Sequence, residues 1–245
     1  MKMAYNIIIT AGGTSEPIDN VRKITNTGSG KLGSVIANKL TQLKSNEINK
    51  IYYICAKESY KPTSKNIEVI EIVSANDLAD TITSLLQNEK IDYFIHTMAV
   101  SDYTVDYITT AEKLAEEIEN STPYDVLCNY KNGIKENKIS SNEDNLFIKL
   151  KRTPKIISLI KNVSPTTFLV GFKLLDHVSE STLIDVAMKL KEKNNCDLVV
   201  ANDLQNINEN QHKAFIIKNK NNYKTAFTKE EIAETLINEI MPFGT

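Results

Sequence analysis

Three short stretches of this 245-residue chain combine residue types that could do chemistry. Gly28-Ser29-Gly30-Lys31-Leu32-Gly33 has the spacing G-x-G-x-x-G and opens a segment with apolar residues at helical intervals. Glycines in such a loop let a phosphate approach backbone N–H groups at the positive end of a helix dipole. A dinucleotide site requires the loop to follow its strand directly. Here the strand-like run Ile7-Ile8-Ile9 ends near Ala11, and a second glycine cluster, Gly12-Gly13, lies between. A P-loop fits less well still, because Thr25 stands at its first glycine and Leu32 at its Mg²⁺-binding hydroxyl. Anion binding is the functional reading of the glycines; tight turns and helix packing are the plain one.

Between the glycine clusters, Arg22 and Asn26 suit the binding or polarising of a carboxylate or carbonyl, although the composition of 15–26 reads as a solvated loop. The third stretch, His96-Thr97-Met98-Ala99-Val100-Ser101-Asp102-Tyr103, ends a strand. Polar residues at the carboxyl end of a parallel strand face the crevice where open α/β sheets bind ligands. Asp102 could hold a ribose hydroxyl or Mg²⁺, or cap a turn; His96 could equally be a satisfied core histidine. Lys138, in Lys138-Ile139-Ser140-Ser141, and Lys189 with Lys193 on one helix face could meet a polyphosphate, or be surface lysines. Gly171-Phe172 and Ala201-Asn202-Asp203 each end a strand.

The elements that must position these residues alternate. Strand-like runs at 7–11, 51–56, 67–72 and 92–97 enclose amphipathic helices at 31–43 and 76–86, which indicates a doubly wound, largely parallel, Rossmann-like α/β sheet. From 103 to 145 apolar register is lost; apart from a helix near 111–118, the spacing predicts a long mobile loop, an inserted flap over about 104–145. Regular signals return as a strand at 146–148, a helix opened by Pro154 through 160, a strand at 167–172, a helix at 183–190 and a strand at 197–201. A hairpin pairs 214–217 with 223–227, and Thr228 with Glu231 forms a capping box for a last helix through Ile240. No linker marks a boundary, so 1–245 reads as one domain.

Lys+Arg 29 against Asp+Glu 31 gives a net charge of -2, which argues against a broad nucleic-acid-binding face. Cys55, Cys128 and Cys196 lack disulfide, zinc or redox spacing, and Cys55 and Cys196 adjoin apolar runs as core residues do. The first strand begins too early to leave a signal peptide, and no run approaches the ~18 apolar residues of a membrane span. The expectation is a cytoplasmic protein with neither membrane nor nucleic-acid partner.

Five motifs, in order, resemble the phosphopantothenate–cysteine ligase (phosphopantothenoylcysteine synthetase) family of coenzyme A biosynthesis. They are Ile9-Thr10-Ala11-Gly12-Gly13-Thr14-Ser15-Glu16-Pro17-Ile18-Asp19 with Val21-Arg22; Thr25-Asn26 through Gly33; Ala99-Val100-Ser101-Asp102-Tyr103; Lys138-Ile139 with Lys151-Arg152-Thr153-Pro154; and Val170-Gly171-Phe172 with 197–203. Ser101 departs from a commoner alanine, Lys173-Leu174-Leu175 replaces small residues and an acid, and the flap is longer than in many relatives.

The resemblance implies that the carboxylate of 4′-phosphopantothenate attacks the α-phosphate of a nucleoside triphosphate, CTP in most bacterial members, with Mg²⁺. Cysteine then displaces the nucleoside monophosphate from the acyl-nucleotidylate. It implies that Gly13, Gly28, Gly30, Gly33 and Asn202 hold the substrate phosphate and that Asn26 contacts the acyl group and promotes turnover of the intermediate. Arg22 would reach the partner subunit's site in a homodimer. Met98, Ala99 and Asp102 would line the junction with the nucleotide, and His96, Thr97, Pro154, Lys155, Ile156, Ile157 and Phe172 would surround it. Lys138 would meet the triphosphate, with Lys189 and Lys193 adding charge. The family's flavin-containing decarboxylase would be a separate polypeptide, so no flavin is expected here. The rivals are an NAD(P)-dependent oxidoreductase and a non-catalytic nucleotide sensor. The first predicts an acid ending the second strand, where Ala56 and Lys57 stand with Glu58 close by.

Overall fold

A computed structural model describes residues 4–134, 137–142, 144–208 and 210–241. β1 (Tyr5–Ala11) leads through a small hairpin, β2 (Ser15–Pro17) and β3 (Lys23–Thr25), into α1 (Lys31–Leu43). There follow β4 (Ile48–Ala56), β5 (Ile67–Ile72), α2 (Ala75–Asn88) and β6 (Tyr93–His96). An arm of β7 (Tyr103–Thr110), α3 (Ala111–Glu119), α4 (Pro123–Asn129) and β8 (Leu146–Arg152) comes next. The chain continues as α5 (Ile156–Val163), β9 (Phe168–Leu175), α6 (Glu180–Lys193), β10 (Leu198–Ile207), β11 (His212–Asn219), β12 (Asn222–Ala226) and α7 (Lys229–Ile240).

Eight of these strands form one sheet in the order β12-β11-β10-β9-β6-β1-β4-β5. The six from β5 to β10 are parallel, and β11 and β12 add an antiparallel edge. This is the expected Rossmann-like, doubly wound sheet. β1 explains its own apolar run: Ile7, Ile9 and Ala11 pack on one face with α1 and α7, and Ile8 on the other with α2, α5 and α6. A strand covered on both faces needs apolar residues at every position, not at alternate ones.

Helix starts follow local chemistry. The hydroxyls of Ser74, Thr110, Thr122, Ser179 and Thr228 each accept the N–H three residues on, capping α2, α3, α4, α6 and α7. The capping box at α7 is displaced by one residue: the Glu231 carboxylate accepts from Phe227 N (2.8 Å), not from Thr228. Among the described residues, no helix is long and apolar enough to cross a membrane.

Two expectations are corrected. The stretch 15–26 is not a solvated loop throughout: β2 and β3 pair, and Ser15 and Glu16 are buried, the Glu16 carboxylate accepting the Ala75 N–H at the start of α2 (2.9 Å). Nor is the flap a long mobile loop. β7 pairs antiparallel with β8, and α3 and α4 fold between them. The arm's two strands carry a weak sequence pattern because a two-stranded ribbon buries little, leaving Tyr103 of β7 and Phe147, Ile148 and Leu150 of β8 exposed. Residues 135, 136 and 143 of the expected flap lie outside the described residues, as do Met1, Lys2 and Met3.

Candidate active site at the carboxyl edge of the sheet

The chain runs from β1 through α1 to β4 and β5 on one side, then returns through α2 to β6 on the other side of β1, so the strand order reverses between β1 and β6. Helices and loops diverge there and leave a crevice. A cleft of about 350 Å³ opens at that place. Its walls come from Gly12 after β1, Gly28 to Gly33 at the start of α1, Thr97 to Ala99 after β6, Phe172 and Leu174 of β9, and Asn202 of β10.

The glycines are explained by close approach. A Cβ on Gly13 would lie 2.1 Å from the Asn26 carbonyl oxygen, and one on Gly28 would lie 2.5 Å from the Gly12 carbonyl oxygen. The two clusters thus pack backbone to backbone. Gly30 caps α1 at φ 78 with no side-chain hydrogen bond, and α1 has no acidic residue in its first turn. The first N–H groups of a helix have no intrahelical partner. Here that end of the helix carries Lys31, Leu32 and Gly33 into the cleft wall, an arrangement suited to an anion. The loop after β4 covers the other side: Tyr60 N donates to Ser29 O (3.0 Å) and Tyr53 OH to Tyr60 O (2.8 Å). The place where a dinucleotide fold sets its ribose-binding acid is therefore packed against the glycine loop.

Above the ends of β1 and β6, Gly13 and Ala99 form a bridge, Thr14 N donates to Ala99 O (3.1 Å) and Asn26 N to Thr14 O (3.1 Å). The Asn26 side chain donates to Ala99 O (3.3 Å). Asn26 and Ala99, far apart in sequence, thus meet, with Met98 next to Ala99 in the cleft lining. Further along, Asp102 pairs with Lys155, which precedes α5, and Thr153 N donates to Asp102 O (3.1 Å). Pro154 is exposed, Ile156 is core and Ile157 lies against Gly171. His96 turns away from the cleft: it is buried, its Nδ1 lies 2.7 Å from Thr10 Oγ1, and burial pushes its pKa down to about 4. Thr97, its neighbour, lines the cleft and donates to Thr10 O (2.7 Å).

Other expected residues stand elsewhere. Gly13 and Asn26 pack on each other just outside the cleft lining. Arg22 donates to Asp19 (2.6 Å) and to Ile139 O (3.0 Å), and Ile139 N donates to Asp19 (3.2 Å). The Arg22 guanidinium, with the Val21 and Arg22 N–H groups, holds the Asp19 carboxyl far below the usual carboxylate range. Lys138 is exposed on the segment this cluster pins to the β2–β3 hairpin. Lys189 and Lys193 are exposed on α6, whose last turn leads into the start of β10, whereas Asn202 lies farther along that strand at the cleft. Lys31, His212 and Lys229 line the cleft but were not singled out as site residues. Lys31 stands inside the glycine motif, whereas periodicity could not find His212 and Lys229, since β11 and α7 are brought to the cleft by the fold of the whole chain. Among the described residues, no group of three or more His, Cys, Asp or Glu could hold a metal ion.

Residues 3–127 and 108–243 match the model of the DNA/pantothenate metabolism flavoprotein C-terminal domain. The chain belongs to that family. The likeness read from the five motifs is thereby borne out as a family relationship. The coenzyme A biosynthesis bifunctional protein CoaBC of Thermococcus kodakarensis is 31% identical over 96% of this chain and 50% of its own. The crystal structure of the DNA/pantothenate metabolism flavoprotein from Streptococcus pneumoniae is 41% identical, with a TM-score of 0.80, covering 97% of this chain and 98% of that one. The C-terminal domain of a CoaBC protein, at 23% identity and a TM-score of 0.67 over 97% of this chain and 94% of that one, shows the shared fold. The chain spans about half the length of the curated relatives it matches.

Proposed function

We propose that this chain is an acid–amino-acid ligase of coenzyme A biosynthesis. It would join 4′-phosphopantothenate to cysteine through an acyl-nucleotidylate, with CTP as the activating nucleotide. The observation that carries the reading is the cleft itself, lined both by the start of α1, where Gly30 supplies no side-chain cap, and by Asn202.

In this reading Gly28, Gly30, Gly33 and Asn202 hold the substrate phosphate at the positive end of α1. The acid's carboxylate then lies toward Asn26, Met98 and Ala99. Its attack on the α-phosphate expels pyrophosphate, and the cysteine amine displaces the nucleoside monophosphate from the acyl carbon. Asn26, held by Ala99 O, has an amide left to orient the acyl carbonyl for that second attack. Thr97, Phe172 and the Asp102–Lys155 pair face the nucleotide, and Lys138 closes on its phosphates. Magnesium, when bound, would screen the phosphate charge, and Asp102 is the residue that would hold it. The exposed Val21 and Ile24 beside Arg22 favour a homodimer across the β2–β3 hairpin, with Arg22 exchanging Asp19 for the neighbouring site. A flavin decarboxylase is the pathway partner.

Pyrophosphate release is the direct test, with CTP and ATP compared and both other substrates supplied. Release that requires phosphopantothenate, and nucleoside monophosphate release that also requires cysteine, is the expected outcome. No release with either nucleotide, alongside hydride transfer to NAD, refutes it.

A further inference from the structure

The cleft that the glycine loop lines also carries Asn202, His212 and Lys229, from the middle of β10, the start of β11 and the first turn of α7. Asn202 Nδ2 donates to His212 Nε2 (3.2 Å), with both side chains buried. An imidazole that accepts at Nε2 and is neutral carries its proton on Nδ1. His212 is neutral, because burial and the Lys229 charge push its pKa down to about 4. Its Nδ1 is buried with no partner among the described residues. Buried polar atoms without partners are uncommon and call for a reason. Lys229 is the second anomaly. It stands at the first position of α7, where the helix dipole disfavours a cation, and it has no ion pair among the described residues. The nearby Glu231 carboxylate is taken by the Phe227 N–H. Lys31 sits in the same kind of place at the start of α1. Two helix starts bearing lysines and a neutral histidine therefore share one cleft, an arrangement suited to an anion.

We propose that Lys229 is the counter-ion of the substrate's phosphate and that His212 is a positioning residue, holding the Asn202 amide so that its second N–H meets the same group. This rests on the phosphopantothenate reading and extends it, because it adds to the glycine loop and Lys31 a second cation at the start of α7, against the one charge Lys31 offers a dianionic phosphate monoester. The chain would thus select phosphorylated over unphosphorylated acid by a wall built from its last strand pair and last helix.

Calorimetric titration of the full chain with 4′-phosphopantothenate, and separately with pantothenate, tests this. Lys229→Met should weaken binding of the phosphorylated acid roughly tenfold, the scale of one charge-assisted contact, and leave pantothenate unchanged. Lys229→Arg should restore most of it. His212→Phe should weaken the phosphorylated acid severalfold without moving CTP affinity, and His212→Gln, which keeps an acceptor for Asn202, should recover it. Wild-type affinity in Lys229→Met, or equal loss for both acids, overturns the proposal while leaving the ligase reading intact. Equal loss in His212→Phe and His212→Gln overturns the positioning role. A wild-type chain that binds no phosphopantothenate removes the ligase reading and this proposal with it.

Discussion

Replacing Gly13 by alanine would test the claim that one glycine sets the position of Asn26. Gly13 does not adopt left-handed backbone, so strain in φ plays no part and the effect is contact alone. The added Cβ would lie 2.1 Å from the Asn26 carbonyl oxygen, 2.9 Å from its carbonyl carbon and 3.2 Å from its Cβ. Ordinary contact requires these atoms to separate by roughly 1 Å. They cannot move freely, because Asn26 N is bonded to Thr14 O and its side chain to Ala99 O. Overpacking of this kind costs about 1–3 kcal/mol, and in a chain of this size each kcal/mol lowers Tm by roughly 2–4 °C. A displacement near 1 Å at an orienting group costs about 10²-fold in rate. Calorimetry and steady-state pyrophosphate release would be measured together, with Gly171→Ala as the control. There the new Cβ meets the tip of Ile157 at 3.1 Å and the Cys196 Sγ at 3.2 Å, side-chain atoms that need give only a few tenths of an ångström. Wild-type Tm and rate in Gly13→Ala, or a larger loss in Gly171→Ala, would refute the reasoning.

Lys138→Gln should raise the nucleotide KM severalfold and leave Tm unchanged, since 137 and 139 are held through their backbone by Asn20, Asp19 and Arg22; unchanged nucleotide kinetics would make Lys138 a surface lysine. His96 makes stability depend on pH. Folded, it stays neutral down to about 4. The unfolded chain takes up that proton near 6.5, so stability is full above that value and falls between pH 6.5 and 4, by about 3 kcal/mol at the lower end. Urea midpoints at pH 7.5, 6 and 5 should fall in that order, and less steeply in His96→Asn; parallel profiles for the two proteins would exclude His96 as the source.

The parallel sheet was legible because a strand buried on both faces must be largely apolar, and 7–9 and 51–56 are, while the buried Thr10 hydroxyl is paired with His96. α1 was legible for the complementary reason, that one buried face imposes spacing on Leu32, Val35, Ile36 and Leu40. The motifs carried the family, because residues packed backbone to backbone, as Gly13 is on Asn26 and Gly28 on Gly12, tolerate few alternatives. Local pattern could not show that the arm holds a β-ribbon, since two strands that bury little impose little on their sequence. Nor could it show which charges meet. Asp102 finds Lys155, Arg22 finds Asp19 and Ile139, and His96 turns inward to Thr10, each through contacts set by the whole sheet. His212 and Lys229 reached the cleft only because β11 folds back antiparallel on β10 and α7 returns across the sheet. Sequence periodicity records which face of an element is buried; which ends of distant elements converge depends on the order of strands, and only the folded chain decides that.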